Sequence, residues 1–257
     1  MACGHFGSQI WYFVGQNISE TYVFKGLWSL LESKLVFFGP KYFRNMFLKP
    51  SGLPFSQAAM LEPISCVVYG LDRVALNPEK KVVIIGAGGF GLLHLMVLGV
   101  MGVHDVSLIA KNPHRAAVAK RLGTTRIIDR PAEQSREEVL EATGGKGADV
   151  VIECTARPAV WEESLFLARP GGQVILFGGC PPGTKVSFDA TRLHYDQVQL
   201  VSPFHFNPAA VAKAVKLIES GEMPTEYLVS GSYKLEQIES AFQKMQKGEG
   251  IKYEILP

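Results

Sequence analysis

The chain has 257 residues, of which 47% are apolar and 19% charged, the balance of an ordinary globular protein of one large or two small domains. A formal net charge of +2 without any block of like charge offers no footprint for nucleic acid. The four cysteines, Cys3, Cys66, Cys154 and Cys180, are scattered and suggest neither a disulfide framework nor a CxxC metal site, so a reduced, cytoplasmic setting is expected. The longest apolar stretch, Gly91 to Val103, is well short of the roughly 20 residues that span a bilayer, and the N-terminus lacks the basic-then-apolar order of a signal peptide. No membrane partner is therefore expected.

Residues 1–50 are rich in Trp, Tyr and Phe and show no clear period, apart from an amphipathic pattern around Gly26–Leu35 that reads as a surface-packed helix rather than a membrane-binding one. From Lys80 onward the pattern is regular. Lys81–Ile85 is a short apolar, β-branched run, as expected of a strand buried on both faces. Asp105–Ala110 is the next strand, and Pro113 then opens a helix that stops at Gly123. Arg126–Ile128 reads as a third strand, followed by a polar helix with Ser135 as its N-cap. Ala148–Glu153 is a fourth strand, Pro158–Leu167 a helix and Gln173–Phe177 a fifth strand, entered by a tight reversal over Arg169–Gly172. Val198–Val201 gives a sixth strand and Pro208–Ser220 a helix. Leu235–Gly248 forms an amphipathic helix, and Ile251–Leu256 a last strand. Strands alternating with helices at this spacing predict an α/β fold, a Rossmann doubly wound parallel sheet with right-handed crossovers.

Gly86-Ala87-Gly88-Gly89-Phe90-Gly91 lies directly between a predicted strand and a predicted helix, the context that a dinucleotide-binding GxGxxG motif demands. Gly86 allows the tight turn, Gly88 lets backbone approach a pyrophosphate, and Gly91 lets helix and strand pack closely. The N–H groups of the helix start then point at the anion. The same string also reads as a structural turn with no ligand. At the end of the second strand, where an acid would bind the adenosine ribose of NAD, this chain has Ala110 followed by Lys111, with Arg115 one turn on. A missing carboxylate beside cations favours the 2′-phosphate of NADP over NAD, although Lys111 reads equally as a solvated surface lysine.

Several strings occur in order: LPFSQAAMLEP (53–63), VVIIGAGGFG (82–91), GADVVIE (147–153), RPGGQVILFGG (169–179), LHYD (193–196) and the terminal GEGIKYEILP. Together they resemble the zinc-containing medium-chain alcohol dehydrogenase superfamily, mainly its cofactor-binding domain and most closely the sorbitol, threonine and butanediol dehydrogenase branch. The resemblance covers roughly Asn45 to Pro257. It implies a divergent segment over 1–50 as a truncated remnant of the GroES-like catalytic domain, a Rossmann domain over 51–223, and a C-terminal segment, 224–257, returning toward the catalytic domain. It also implies that Cys154 and Thr155 line the cofactor, that Gly178, Gly179 and Cys180 lie near the nicotinamide ribose, that Ser202 and Phe204 lie beside the carboxamide, and that Lys252 reaches the pyrophosphate. Cys154 and Cys180 read alternatively as small buried hydrophobes, and Lys252 as a surface charge.

The family's catalytic zinc is held by a cysteine followed by Gly-x-Asp and by a later Gly-His-Glu, and neither string occurs here. Glu62, in the LEP string, matches an acidic residue at or beside that zinc, but a catalytic site needs three protein ligands, so zinc is expected in full-length relatives and not in this chain. His5, His94 and His194 are not spaced to complete a site. His94 reads as packed or cofactor-adjacent, and His205 as structural or substrate-side. Three readings follow: an NAD(P)-dependent oxidoreductase of a secondary alcohol or polyol, incomplete in this chain; an NAD(P)-binding module or remnant without turnover; and a metal-free reductase similar to the quinone-reductase relatives. The resemblance further implies a homo-oligomer formed through the cofactor domain. Without the catalytic domain, Leu53, Phe55 and Met60 are expected to face water unless residues 1–50 cover them.

Overall fold

The computed structural model describes residues 53–256, together with a short antiparallel backbone pairing of β1 (Leu35–Val36) with β2 (Phe47–Leu48). The helix expected around Gly26–Leu35 lies outside the described residues, except for Leu35 in β1. A helical turn α1 (Phe55–Ala58) and helix α2 (Leu61–Leu71) precede the sheet. The sheet strands are β3 (Val82–Ile85), β4 (Val106–Ile109), β5 (Arg126–Ile128), β6 (Ala148–Glu153), β7 (Ala168–Leu176) and β8 (Gln199–Val201). They lie in the order β5-β4-β3-β6-β7-β8, and every neighbouring pair is parallel. The chain enters at β3, winds outward through β4 and β5, and returns to lay β6 beside β3. The winding direction therefore reverses between β3 and β6, the position at which open α/β sheets bind ligands.

Strand residues alternate between two cores because successive side chains point to opposite faces. Val82 and Ile84 of β3, Leu108 of β4 and Ile152 of β6 pack with α2, with α3 (Gly89–Val100), with α4 (Pro113–Arg121) and with α8 (Pro208–Glu219). Val83, Ile85, Ile109 and Val151 pack on the other face with α5 (Arg136–Ala142) and α6 (Pro158–Leu167). All four residues of β3 are buried. Leu92, Leu93 and Leu98 of α3 are fully buried, each worth about 1.5–3 kcal/mol.

Helix α2 was not legible as a helix. All its residues except Tyr69 are buried, so it shows no polar stripe from which a 3.6-residue period could be read. It packs against both α3 and α8, and Pro63 is tolerated because it falls in the first turn, where no intrahelical N–H is needed. Met60 is buried, Leu53 is half-buried against the core and Phe55 is half-buried; the residues expected to cover them, 1–50, lie almost wholly outside the described residues.

Three local expectations also change. Arg169–Gly172 is not a reversal before the strand but a bulge inside β7, where the pairing with β6 jumps from Ala148↔Ala168 to Val150↔Gln173. A Cβ at Gly172 would lie 2.8 Å from the Arg169 carbonyl oxygen and 3.0 Å from that of Ala148, so the fold needs glycine there. Ser135 precedes α5 but does not cap it, because its hydroxyl donates to the Pro131 carbonyl across a 3₁₀ turn (Ala132–Gln134). The C-terminal helix starts with a 3₁₀ turn over Leu235–Gln237 and continues as α9 (Ile238–Gln246). The last strand, β10 (Lys252–Leu256), pairs in parallel with β9 (Val229–Lys234). Strand β9, rich in Ser and Gly, and the short helix α7 (Ala190–His194) carry too little apolar pattern to be read from sequence.

Candidate dinucleotide site at the carboxyl edge of the sheet

The parallel ladder continues one residue beyond several strand ends. The amide of Gly86 donates to the Ile109 carbonyl at 3.0 Å, that of Cys154 to Ile85 at 2.9 Å, and that of Phe177 to Glu153 at 3.0 Å. The segments after β3, β6 and β7 therefore emerge side by side, at the point where the winding reverses.

Glycine is required at two positions of the first loop. Gly86 has φ +103°, and its Cβ would meet the Thr155 methyl at 2.9 Å. At Gly91 a Cβ would sit 1.8 Å from the Gly86 carbonyl oxygen, so helix α3 leaves the sheet at a separation only glycine permits. Gly88 differs. It is the N-cap of α3 in extended conformation, no side chain caps the helix there, and a Cβ would meet nothing within 4 Å. Open space thus lies in front of the free N–H groups of the first turn, where the helix dipole favours an anion. Lys252, at the start of β10, lies across that turn, with Cε 3.5 Å from the Cβ position of Gly89. Burial lowers the pKa of its ammonium, and the nearby Glu62 carboxylate acts in the opposite sense. Phe90 stacks at a tilt on Phe177, with ring centroids 5.0 Å apart.

On the β4 side, Ala110 is buried and Lys111 exposed. Asn112 caps α4, its side chain accepting from the Arg115 amide at 3.1 Å. The Arg115 guanidinium is not held out toward solvent beside Lys111. Its Nε donates to the Gly250 carbonyl at 3.2 Å, and Nη2 donates to Gly248 at 3.3 Å and to Gly250 at 3.1 Å. Burial lowers its pKa.

At the end of β6, the buried Glu153 carboxylate holds the next turn. Oε1 accepts from the Thr155 amide at 2.5 Å and from the Thr155 hydroxyl, while Oε2 faces the Ala156 amide at 3.4 Å. Burial raises the Glu153 pKa, and the hydrogen bonds from Thr155 and Ala156 work against that rise. Ala156 adopts φ +60°. Gly178 approaches so closely that a Cβ would meet the Ala156 nitrogen at 2.4 Å, and its carbonyl accepts from Trp161 Nε1 at 2.8 Å. Gly178 is thus a packing glycine, whereas Gly179 faces open space. Cys180 points its thiol at the Ala156 carbonyl, 3.6 Å away. Glu153 was not singled out in the sequence, although an acid closing the apolar run Val150–Ile152 was a readable signal.

His94 is fully buried beneath the loop. Its Nδ1 donates to the Phe90 carbonyl at 2.8 Å, and its ring meets Phe177 edge-on at 4.6 Å. Nε2 is a buried acceptor without a partner, and burial pushes the His94 pKa down to about 4. Cys154 lies 3.7 Å from Nδ1, and burial followed by the Glu153 charge raises its thiol pKa. Both groups are neutral at pH 7. Beyond β8, Ser202 and Phe204 are exposed, Phe204 at 79%, while His205 takes φ +60° and packs edge-on with Phe204 at 4.0 Å.

Glu62 is buried and accepts from the Cys66 thiol at 3.4 Å. Among the described residues no group of three or more His, Cys, Asp and Glu side chains is placed to hold a metal ion, so zinc does not fit the described residues. No described helix is long and apolar enough to cross a membrane.

Residues 89–220 match the family model described as zinc-binding dehydrogenase. D-arabinitol dehydrogenase 1 of Uromyces fabae is 29% identical over 207 residues, covering 78% of this chain and 58% of that protein. Sorbitol dehydrogenase of Bacillus subtilis is 27% identical over 214 residues, covering 82% of this chain and 60% of that protein. The crystal structure of a zinc-binding dehydrogenase from Sinorhizobium meliloti bound to NADP superposes with a TM-score of 0.74 at 24% identity, over 83% of this chain and 63% of that one. The chain spans about three-fifths of the length of the relatives it matches. With more than half of it inside the family model and its sheet wound as in these neighbours, the chain belongs to the zinc-binding dehydrogenases, the medium-chain alcohol dehydrogenase superfamily, and carries that superfamily's cofactor-binding domain.

Proposed function

We propose that this chain is the dinucleotide-binding part of an NAD(P)-dependent oxidoreductase that moves a hydride between a secondary alcohol of the polyol class and nicotinamide. The observation that carries this reading is the open, uncapped start of α3 at Gly88, with the Lys252 cation laid across it. Free helix N–H groups, a cation and empty space together suit a pyrophosphate. When bound, nicotinamide supplies the hydride carrier. The chain's own residues hold and orient it: α3 and Lys252 take the pyrophosphate, Ala110 and Lys111 receive the adenosine end, and Glu153 fixes the turn carrying Cys154 and Thr155. Gly179, Cys180, Ser202 and Phe204 line the nicotinamide end. Phe177 and the neutral His94 keep water from beneath the loop. The polyol class rests on the substrates for which the relatives are named.

The absent acid at Ala110 and the exposed Lys111 support NADP over NAD as the preferred cofactor. The same reading takes residues 51–223 as the cofactor unit, a homo-oligomer formed through it, and a cytoplasmic setting. A second reading, a dinucleotide-binding module without alcohol oxidation, is favoured by Glu62. Its neighbours are the Cys66 thiol and the Lys252 charge, and an ammonium beside the carboxylate opposes a zinc dication there. Fluorescence titration with NADPH and NADH, with zinc and polyol-dependent reduction assayed on the same sample, tests both. Tighter binding of NADPH with turnover supports the first reading, and saturable binding without zinc or turnover supports the second. No binding of either nucleotide overturns both.

A further inference from the structure

Arg115 and Lys252 lie far apart in sequence and are joined by one short turn. Gly248 and Gly250 both have left-handed backbones, with φ +73° and +66°. A Cβ at Gly250 would collide with the Ser230 Cβ and the Tyr253 hydroxyl, each at 2.7 Å. The Ile251 amide donates to the Ser230 hydroxyl at 2.8 Å. The turn is therefore tightly shaped on its β9 side, and its two glycine carbonyls are left facing α4. Both are taken by Arg115, through Nε and Nη2. Two residues further on, Lys252 leaves the turn and crosses the start of α3. Among the described residues Lys252 makes no direct ion pair, and the Glu62 carboxylate acts on its charge from nearby.

We infer that Arg115 is not a ligand of the adenosine 2′-phosphate but a positioning residue, which clamps the Gly248–Gly250 turn and so sets Lys252 over the anion-binding start of α3. A planar guanidinium is suited to this, since its fork bridges two carbonyls at once, which an ammonium cannot do in the same geometry. The role assigned to Arg115 rests on the dinucleotide reading proposed above. It differs from that reading in one respect: Arg115 then serves NADPH and NADH equally, because both carry the pyrophosphate.

The test is a double-mutant cycle in the full chain, reading NADPH and NADH affinity in wild type, R115A, K252A and the double variant. Lys252→Ala is expected to weaken both nucleotides about ten-fold, the loss of one charge-assisted contact. Arg115→Ala is expected to weaken both by a similar factor, about three- to ten-fold, and to add less than about two-fold once Lys252 is gone. Arg115→Lys, which keeps the charge, is expected to behave like R115A and answers the question if R115A does not fold. Hydrogen exchange gives a second readout: the Ile251 and Lys252 amides should exchange faster in R115K. Loss of NADPH affinity alone in the Arg115 variants, full additivity in the cycle, or unchanged affinity in R115K each overturns the inference while leaving the cofactor reading intact. If wild type binds neither nucleotide, the cofactor reading falls and takes this inference with it.

Discussion

Replacing Gly91 by alanine forces a methyl carbon to within 1.8 Å of the Gly86 carbonyl oxygen, where ordinary contact begins at 3.4 Å. The start of α3 or the loop must then move by the difference, about 1.6 Å. Neither yields easily. Gly86 is tied to β4 through its amide on Ile109, and α3 is anchored by fully buried Leu92 and Leu93. Overpacking against soft side chains costs about 1–3 kcal/mol. Here the obstacle is backbone, so Gly91→Ala is expected at or above about 3 kcal/mol, a fall in Tm of roughly 6–12 °C for a chain of this size. Gly88→Ala, three residues earlier, is the control. Its Cβ meets nothing within 4 Å and its φ is ordinary, so stability should stay within about 1 kcal/mol of wild type. The methyl does fill the approach to the helix start, and dinucleotide affinity should fall about ten-fold or more. Urea unfolding and nucleotide titration on both variants separate the two effects. Wild-type stability in G91A would refute the packing argument, and wild-type affinity in G88A would refute the assignment of the open space to the pyrophosphate.

Three further outcomes are expected. His94 is buried and neutral, with its pKa pushed from 6.5 down to about 4; the unfolded chain therefore takes up the proton first as pH falls. Stability from this group is complete above pH 6.5 and is lost progressively toward pH 4, by about 3 kcal/mol in all. Unfolding free energies at pH 7 and pH 4.5 should differ less in His94→Gln than in wild type, and an unchanged difference would sink this account. Asp149 accepts from the Lys81 amide, Lys80 and Arg169, tying together the entry ends of β3, β6 and β7. Burial alone would raise its pKa, but these donors outweigh it and hold the carboxyl below 3.8. Its contribution is present above that pH and lost as pH falls through the lower folded value, and Asp149→Ala should cost about 1–3 kcal/mol at pH 7 by denaturant unfolding. Lys111→Ala should weaken NADPH about ten-fold and leave NADH within about two-fold by titration; equal loss for both would move the 2′-phosphate contact elsewhere.

Much of the fold was readable because it depends on local pattern. The strands Arg126–Ile128 and Ala148–Glu153 and the helix Pro158–Leu167 appear with the boundaries their apolar runs and prolines predict. The strand–glycine–helix context of Gly86, Gly88 and Gly91 marks the candidate site in the sequence itself. Helix α2 escaped because burial on all sides erases amphipathic period. The bulge at Arg169–Gly172 escaped because Pro-Gly-Gly signals a bend without saying whether strand pairing resumes around it. Order along the chain cannot show which distant groups meet. Lys111 and Arg115, four residues apart on a charged segment, read as one cationic patch. The fold separates them, leaving Lys111 exposed and giving the Arg115 guanidinium to two carbonyls more than 130 residues away. Sequence by itself determined the doubly wound sheet and its glycine loop, because periodicity and backbone freedom are properties of neighbouring residues. Tertiary structure alone decided that Glu153 holds the β6 turn, that His94 is buried neutral, and that Arg115 faces the C-terminal turn, because desolvation and hydrogen bonding depend on what the rest of the chain brings alongside.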